Sequence, residues 1–153
     1  MPIPRPSIDE LLTVFFARER AGAPAARTRR LESVEQALRH CLEHDCDGVL
    51  DERGLSLLQV ERVLDPADAF ARSMRADDLL FALLVFLEER SLQPDPADRR
   101  LQVRVALRLV DFLLERRLVD ERDLACPLIE LKVRAGRVRA ALRGPVGAGI
   151  TGA

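Results

Sequence analysis

The stretch from Leu79 to Leu87 constrains the fold of this chain more than any other part of the sequence. Every residue in it is apolar, so a helix formed here has no polar face. A helix that is hydrophobic all round lies in the middle of a bundle, and this one is too short for a bilayer, which takes ~20 apolar residues. The sequence therefore predicts a buried central helix, with Asp77 and Asp78 as its acidic start.

Helical periodicity extends over the rest of the chain, and no segment alternates as a half-buried strand does. Ser7 with Glu10 forms a capping box, and Asp95 with Pro96 is a second helix start. The predicted helices cover residues 7–19, 25–44, 56–64, 66–74, 79–87, 95–118 and 127–143. The sequence thus predicts an all-α fold, a single orthogonal helical bundle of six or seven helices, with two helical hairpins around the buried central helix.

The 153 residues suit one domain with a substantial core. Residues 1–6 hold three prolines and no apolar run, which indicates an extended N-terminal arm and no targeting signal. The bundle domain is predicted over residues 7–143. Gly144 and Pro145 then end the last helix, and residues 144–153 are expected to form a disordered tail.

Charge and cysteine content limit the classes of function. The chain has 24 basic and 25 acidic residues and a net charge of −1, whereas a dedicated nucleic-acid binder usually has a basic excess. A nucleic-acid role would therefore need a local basic patch. Three cysteines, an odd and small number, favour a reducing, cytoplasmic location. No membrane partner and no cofactor are predicted.

The two histidines of the chain stand four residues apart, in His40-Cys41-Leu42-Glu43-His44. The pattern H-x-x-E-H is that of inverted zinc peptidases, which implies two zinc-binding histidines and a glutamate base, with Glu121 at a suitable distance for a third ligand. However, both histidines also lie at a predicted helix C-terminus, where the helix dipole favours a cationic side chain. The helix-end interpretation is preferred, so no metal site is predicted.

Three groups of basic residues are candidates for phosphate contacts. One group lies at the start of the helix predicted over residues 25–44, the end at which the helix dipole disfavours cations. Another group forms a ladder along the longest helix. The third decorates the last helix. Each group could equally be a solvated face, and no aromatic residue lies among them for base stacking. The groups are Arg27, Arg29 and Arg30; Arg99, Arg100, Arg104 and Arg108; and Lys132, Arg134, Arg137, Arg139 and Arg143.

The last helix also carries a stripe of apolar residues with the spacing of a coiled-coil seam. Such a stripe is a candidate surface for a protein partner or for self-association. Its predicted partner-binding residues are Leu128, Leu131, Val138 and Leu142.

Two segments of the chain resemble the helical hairpins of the N-terminal, SAM-like core-binding domain of tyrosine recombinases (phage-type integrases). Together they cover roughly half of the chain. The first contains Ser7–Leu12, Phe15, Phe16, Pro24, Arg27–Leu31 and Leu38, and the second contains Asp78–Glu89, Ser91–Pro94, Arg99–Leu101 and Phe112–Asp120. The resemblance implies that the second helix of each hairpin grips DNA, so that Arg27, Arg29, Arg30, Arg99, Arg100 and Arg104 would face phosphates.

Recombinase catalysis is excluded, because it needs a tyrosine and the chain has none. The sequence therefore favours a non-catalytic binding module that associates with double-stranded DNA through its arginine ladders. A protein-interaction adaptor or small homo-oligomer is the alternative, and a metal-dependent hydrolase built on the H-x-x-E-H stretch is a third. The position of the arginines separates the first two, because arginines on one concave face favour DNA and scattered arginines favour the adaptor.

Overall fold

Seven α-helices joined by short connections build the part of the chain that the structure describes. This computed structural model describes residues 5–144, within which there is no strand. The helices are α1 (Ile8–Arg20), α2 (Ala25–His44), α3 (Glu52–Leu64), α4 (Ala69–Ser73), α5 (Ala76–Phe86), α6 (Pro96–Glu115) and α7 (Ala125–Leu142). The predicted all-α bundle of six or seven helices is confirmed. Residues 1–4 of the predicted arm and 145–153 of the predicted tail lie outside the described residues.

Side-chain caps start three of these helices. The Ser7 hydroxyl accepts the Glu10 N–H at 3.2 Å, and the Asp95 carboxylate accepts the Asp98 N–H at 3.1 Å, with Pro96 in the first turn of α6. Asp51 does the same for α3 by accepting the Gly54 N–H at 2.8 Å. This third cap starts α3 four residues before its predicted beginning at Ser56, in a segment expected to be a loop.

Helix α5 is largely, but not wholly, buried. Leu79, Leu80, Leu83 and Phe86 have no exposed area, whereas Phe81 is 36% exposed. Leu84 and Val85 are partly buried against the core. The expectation of a helix buried on every side is corrected, because α5 packs on α1, α2, α6 and α7 and leaves one edge uncovered.

Helix α6 has the two faces that its sequence predicts. Its apolar residues pack between α2 and α7, and Arg100, Arg104 and Arg108 lie exposed on the opposite face. This arrangement holds the arginine ladder away from the core. One polar residue, Gln102, breaks the pattern, since it is completely buried and hydrogen-bonded to the backbone of the segment between α5 and α6.

The apolar stripe of α7 packs within the chain's own core. Leu128 is 7% exposed, Leu131 is 1% exposed and Val138 is 7% exposed, and Leu142 is partly buried against the same cluster. These residues belong to the core side of α7, which packs against α5 and α6. The expectation that this stripe forms a partner surface is therefore corrected, because its regular spacing reflects intramolecular packing.

No helix in residues 5–144 combines the length and the apolar character that crossing a bilayer requires.

Candidate functional site

Arginines from α2, α6 and α7 come together on one face of the bundle. Arg27, Arg100 and Arg104 line a shallow groove of about 260 Å³ between α2 and α6. Arg100 and Arg104 also line a second groove of about 630 Å³ against α7, together with Arg139 and Arg143. The two grooves thus share Arg100 and Arg104 of α6, and we call Arg27, Arg100, Arg104, Arg139 and Arg143 the arginine face.

The arginine face contains no acidic lining residue. Three other grooves in the described part of the chain mix arginines with carboxylates; one of them, for example, joins Arg18 and Arg108 to Glu19, Asp111 and Glu115. Within residues 5–144, none of the five arginines of the face makes an ion pair with an acidic side chain. The face is therefore a concentrated positive charge in a chain whose net charge is −1.

Arg30 lies at the border of this face, where it joins α2 to the start of α6. Its guanidinium contacts the Asp98 carboxylate at 2.8 Å and the Asp95 carboxylate at 2.9 Å. These hydrogen bonds, the one to Asp98 first, raise the pKa of Arg30. The pKa of Asp95 is lowered by the Asp98 N–H that it accepts and then by Arg30. Arg30 is thus a structural link as well as a member of the groove.

Three of the seven predicted DNA-binding arginines line neither groove of the arginine face. Arg108 is paired with Glu19 of α1. The Arg99 guanidinium donates to the Gln93 carbonyl at 2.9 Å, and the groove around it also contains Glu88, Glu89 and Glu130. Arg29 is exposed and lines neither of the two grooves of the face. Of the seven, Arg27, Arg30, Arg100 and Arg104 line one groove, and the other three lie outside it.

Arg139 and Arg143 of α7 complete the site, although the sequence alone assigns them to a separate basic group. Their spacing of four residues repeats the spacing of Arg100 and Arg104 on the neighbouring helix. A periodicity argument puts each pair on one helical face but does not say which helices are neighbours. The packing of α7 against α6 supplies that information.

The residues of the H-x-x-E-H stretch are not arranged as a metal site with Glu121. The rings of His40 and His44 are 4.3 Å apart at the exposed end of α2. Glu43 contacts Arg62 with one carboxylate oxygen and accepts the Phe70 N–H with the other. Glu121 lies in a different groove, after α6, and within the described residues no three His, Cys, Asp or Glu side chains cluster as metal ligands.

Arg62 of α3 is the residue that binds the Glu43 side chain. It contacts Glu43 at 3.0 Å and Asp47 at 2.8 Å, and it also donates to the Glu43 carbonyl at 2.8 Å. These contacts fasten α3 to the end of α2, and the hydrogen bonds to Asp47 and Glu43 raise the pKa of Arg62 above its ordinary value. Since Leu58 is the one buried residue of α3, this polar contact is a main attachment of the helix.

Replacing Arg62 with methionine is expected to loosen α3 and to lower the free energy of unfolding by about 1–3 kcal/mol. Hydrogen bonds to charged groups contribute ~1.5–3 kcal/mol, and Arg62 is only 28% exposed. Urea unfolding measures the loss, and hydrogen exchange should show faster exchange in α3 than in α6. The matched control is Arg53→Met on the same helix, which removes an exposed arginine. Equal stability of the two variants would contradict this role for Arg62.

Two of the three cysteines lie close together in the core. The sulfur atoms of Cys41 and Cys46 are 3.7 Å apart, and both residues are buried, whereas Cys126 is exposed. The hydrogen bond between them lowers the pKa of Cys41 and raises that of Cys46. All three are free thiols. Burial keeps the close pair away from any substrate in this conformation, so the pair serves packing.

Comparisons with protein-family models, with curated proteins and with solved structures found no match to this chain.

Proposed function

We propose that this protein is a non-catalytic module that binds double-stranded DNA through the arginine face. The observation that carries the proposal is the absence of carboxylates from two adjoining grooves lined by Arg27, Arg100, Arg104, Arg139 and Arg143. Unpaired guanidinium groups gathered on one surface are suited to a polyanion, because each forms charge-assisted, bidentate hydrogen bonds with a phosphate. The resemblance of the two hairpins to recombinase core-binding domains agrees with a duplex as the ligand.

The chemistry of the face indicates how DNA would be held. Arginines that contact phosphates fix the position of a protein on the duplex without reading sequence. The lining residues include no aromatic side chain for stacking on single-stranded bases, and none with an amide group that would read adenine. Because the proposed contacts are to phosphates, binding is expected to be tolerant of sequence, and without a stacking side chain it is expected to prefer a duplex to single strands. The three free thiols agree with the cytoplasm as the place of action.

The proposal is tested by replacing both Arg100 and Arg104 with alanine. Both side chains are exposed, so the variant should fold. Each lost phosphate contact reduces the slope of log K against log salt by about one. We therefore expect weaker binding to duplexes of any sequence and a slope smaller by about two. Fluorescence anisotropy over a series of salt concentrations measures both quantities.

The matched control is Arg5→Ala with Arg122→Ala. These arginines line another groove, which also contains Asp77, Asp120 and other acids, and their replacement removes the same charge. The control should keep the salt slope of the native protein. The proposal is wrong if no duplex binding is measured at about 50 mM salt, where phosphate contacts are strongest, or if both double variants lose affinity equally.

Three of the residues predicted to bind a protein partner in the adaptor alternative, Leu128, Leu131 and Val138, are buried in the core of the single chain. An interaction role with another protein would have to use a different apolar surface. The third alternative, a metal-dependent hydrolase, has no support from the positions of His40 and Glu121, which lie on separate parts of the bundle.

A further inference from the structure

Cys41 and Cys46 form a pair of thiols enclosed in the core at the end of α2. Their sulfur atoms are 3.7 Å apart, and the two residues are 2% and 0% exposed. The backbone holds both in place, because the Cys41 carbonyl accepts the Asp45 N–H at 2.8 Å and the Cys46 carbonyl accepts the Val49 N–H at 3.1 Å. The sulfur atoms are thus held close to the ~3–3.5 Å at which positioned groups react with each other.

A buried hydroxyl without a partner lies beside this pair. The Ser91 Oγ atom belongs to the connection between α5 and α6, and it has no hydrogen-bond partner within residues 5–144. It is next to the Cys41 thiol, whose ionised form it stabilises. A buried polar group without a partner needs an explanation, of which redox chemistry is one. Here the neighbouring group is a pair of thiols, which is redox-active.

The two thiols differ in their readiness to ionise. The hydrogen bond with Cys46 lowers the pKa of Cys41, and Ser91 lowers it further, against the opposite effect of burial. The same hydrogen bond, together with burial, raises the pKa of Cys46. Because the thiolate is the nucleophile, Cys41 is expected to react first, with Cys46 as the second thiol beside it.

We propose that Cys41 and Cys46 are a redox modification site, which hydrogen peroxide converts into an intramolecular disulfide and a thiol reductant restores. In the first step, the Cys41 sulfur attacks one peroxide oxygen and the O–O bond breaks. Cys41 becomes a sulfenic acid, and the thiol proton leaves with the released hydroxide as water. In the second step, the Cys46 sulfur attacks the Cys41 sulfur, the S–O bond breaks, and the hydroxyl leaves as water with the Cys46 proton.

The electrons of this reaction balance. The two thiols together lose two electrons, and the peroxide gains them as it becomes two molecules of water. The inference goes beyond DNA binding and does not depend on the arginine face.

Burial determines when the site reacts. In the closed fold the two thiols only pack, so a peroxide reaches them when the chain opens locally. The segment over residues 45–51 is suited to such an opening, because Cys46 is its one buried residue and segments with few buried contacts open most readily. We therefore expect the pair to be oxidised more slowly than Cys126, which is exposed.

The disulfide is expected to fasten α3 to the end of α2. The loop that it closes contains Glu43, and Asp47 follows Cys46 directly. These two carboxylates hold Arg62 of α3. A crosslink restricts the unfolding of the chain that it closes. The oxidised protein should therefore melt at a higher temperature than the reduced protein and should show slower hydrogen exchange in α3.

The proposal is tested on the full chain with Cys126→Ser, which removes the exposed thiol and leaves only the pair to react. The folded variant is treated with hydrogen peroxide, and its thiols are titrated after denaturation. We expect both thiols to be lost together and dithiothreitol to restore them. Trypsin releases residues 40–53 as one peptide, which should be lighter by two hydrogen atoms and should stay joined after cleavage at Glu43.

Further variants in the same background identify the role of each residue. With Cys46→Ser, the Cys41 sulfenic acid has no thiol to attack it, so dimedone should trap it. With Cys41→Ser, Cys46 should give no such adduct. Ser91→Ala should slow the loss of the two thiols, whereas Ser56→Ala, at an exposed position of α3, should not. Thermal melts establish that each variant is folded.

The opposite results are equally specific. The proposal is overturned if both thiols persist at a peroxide concentration that fully oxidises Cys126 in the native chain. It is also overturned if the oxidised protein melts at a lower temperature than the reduced one, because the fold would then reject the bond. A dimedone adduct on Cys46 and none on Cys41 would overturn the assignment of the attacking thiol. Unchanged hydrogen exchange in α3 would overturn the fastening of that helix.

Discussion

Replacing Phe86 with alanine is expected to lower the free energy of unfolding by about 3–5 kcal/mol. Phe86 has no exposed area, and it lies at the end of α5, where the core cluster includes residues of every helix. The loss combines the transfer free energy of the ring with the cavity that remains, because a close-packed core relaxes only in part. Urea unfolding followed by circular dichroism measures it.

Phe81→Ala provides the control within the same helix. Phe81 is 36% exposed, so its ring leaves less contact area behind and no closed cavity. A loss of about 1 kcal/mol is expected, since full burial of such a side chain contributes ~1.5–3 kcal/mol. Leu84→Ala should also fall below the Phe86 value, because Leu84 is only partly buried. Equal losses at Phe86 and Phe81 would show that α5 is not anchored as the structure indicates.

The contrast between Phe81 and Phe86 shows what the sequence could and could not predict about the core. The continuous apolar run correctly identified a helix that the bundle packs around. It could not identify the exposed edge, because an all-apolar helix has no polar residue to mark the side that faces solvent. That information depends on which helices are neighbours, and α5 has neighbours on all sides but one.

The helix ends were predictable wherever a local side chain makes the cap. Ser7 and Asp95 were identified from residues within one turn, and both caps form as expected. Asp51 was missed, because Gly54 three residues later made the segment resemble a loop. Local hydrogen bonds are therefore readable from sequence, but a glycine inside a helix hides the signal.

The sequence predicted which helix face carries each arginine of the candidate site, but not which helices are neighbours, because that depends on long-range packing. Spacing alone put Arg100 and Arg104 on the wet face of α6, and this is where they lie. Spacing could not show that Arg108 meets Glu19, 89 residues away in sequence, or that Arg139 lies beside Arg104. The prediction of a partner surface on α7 was wrong for the same reason, since an apolar stripe that packs inside one chain and a stripe that packs between two chains have the same period.

Gln102 is the polar residue of α6 that periodicity missed, and its replacement should have the second large effect. Its amide oxygen accepts the Gln93 N–H at 2.9 Å, and its amide nitrogen donates to the carbonyls of Phe86 at 2.9 Å and Ser91 at 3.0 Å. One completely buried side chain thus satisfies three backbone groups in the connection between α5 and α6. Gln102 holds that connection against the bundle.

Gln102→Ala is expected to lower the free energy of unfolding by about 3–5 kcal/mol, because each buried backbone group left without a partner costs ~1–3 kcal/mol. Urea unfolding again provides the measurement. The control is Gln36→Ala, which removes the same side chain from an exposed position of α2 and should change stability by less than about 0.5 kcal/mol. An equal loss of unfolding free energy in both variants would mean that the buried hydrogen bonds of Gln102 do not stabilise the fold.

Gln102→Glu separates the hydrogen bonds from the volume of the side chain, because it keeps the size and changes the chemistry. The new carboxyl group would be buried facing two carbonyl oxygens, so its protonated form is favoured and its pKa is raised above the unfolded value of ~4.3. Stability is then fully present below about pH 4 and falls as the pH rises through the raised pKa. The difference from the native protein should widen by up to about 1.4 kcal/mol per pH unit over that interval. Gln36→Glu should show no such trend, and a pH-independent deficit in Gln102→Glu would mean that the side chain reaches solvent.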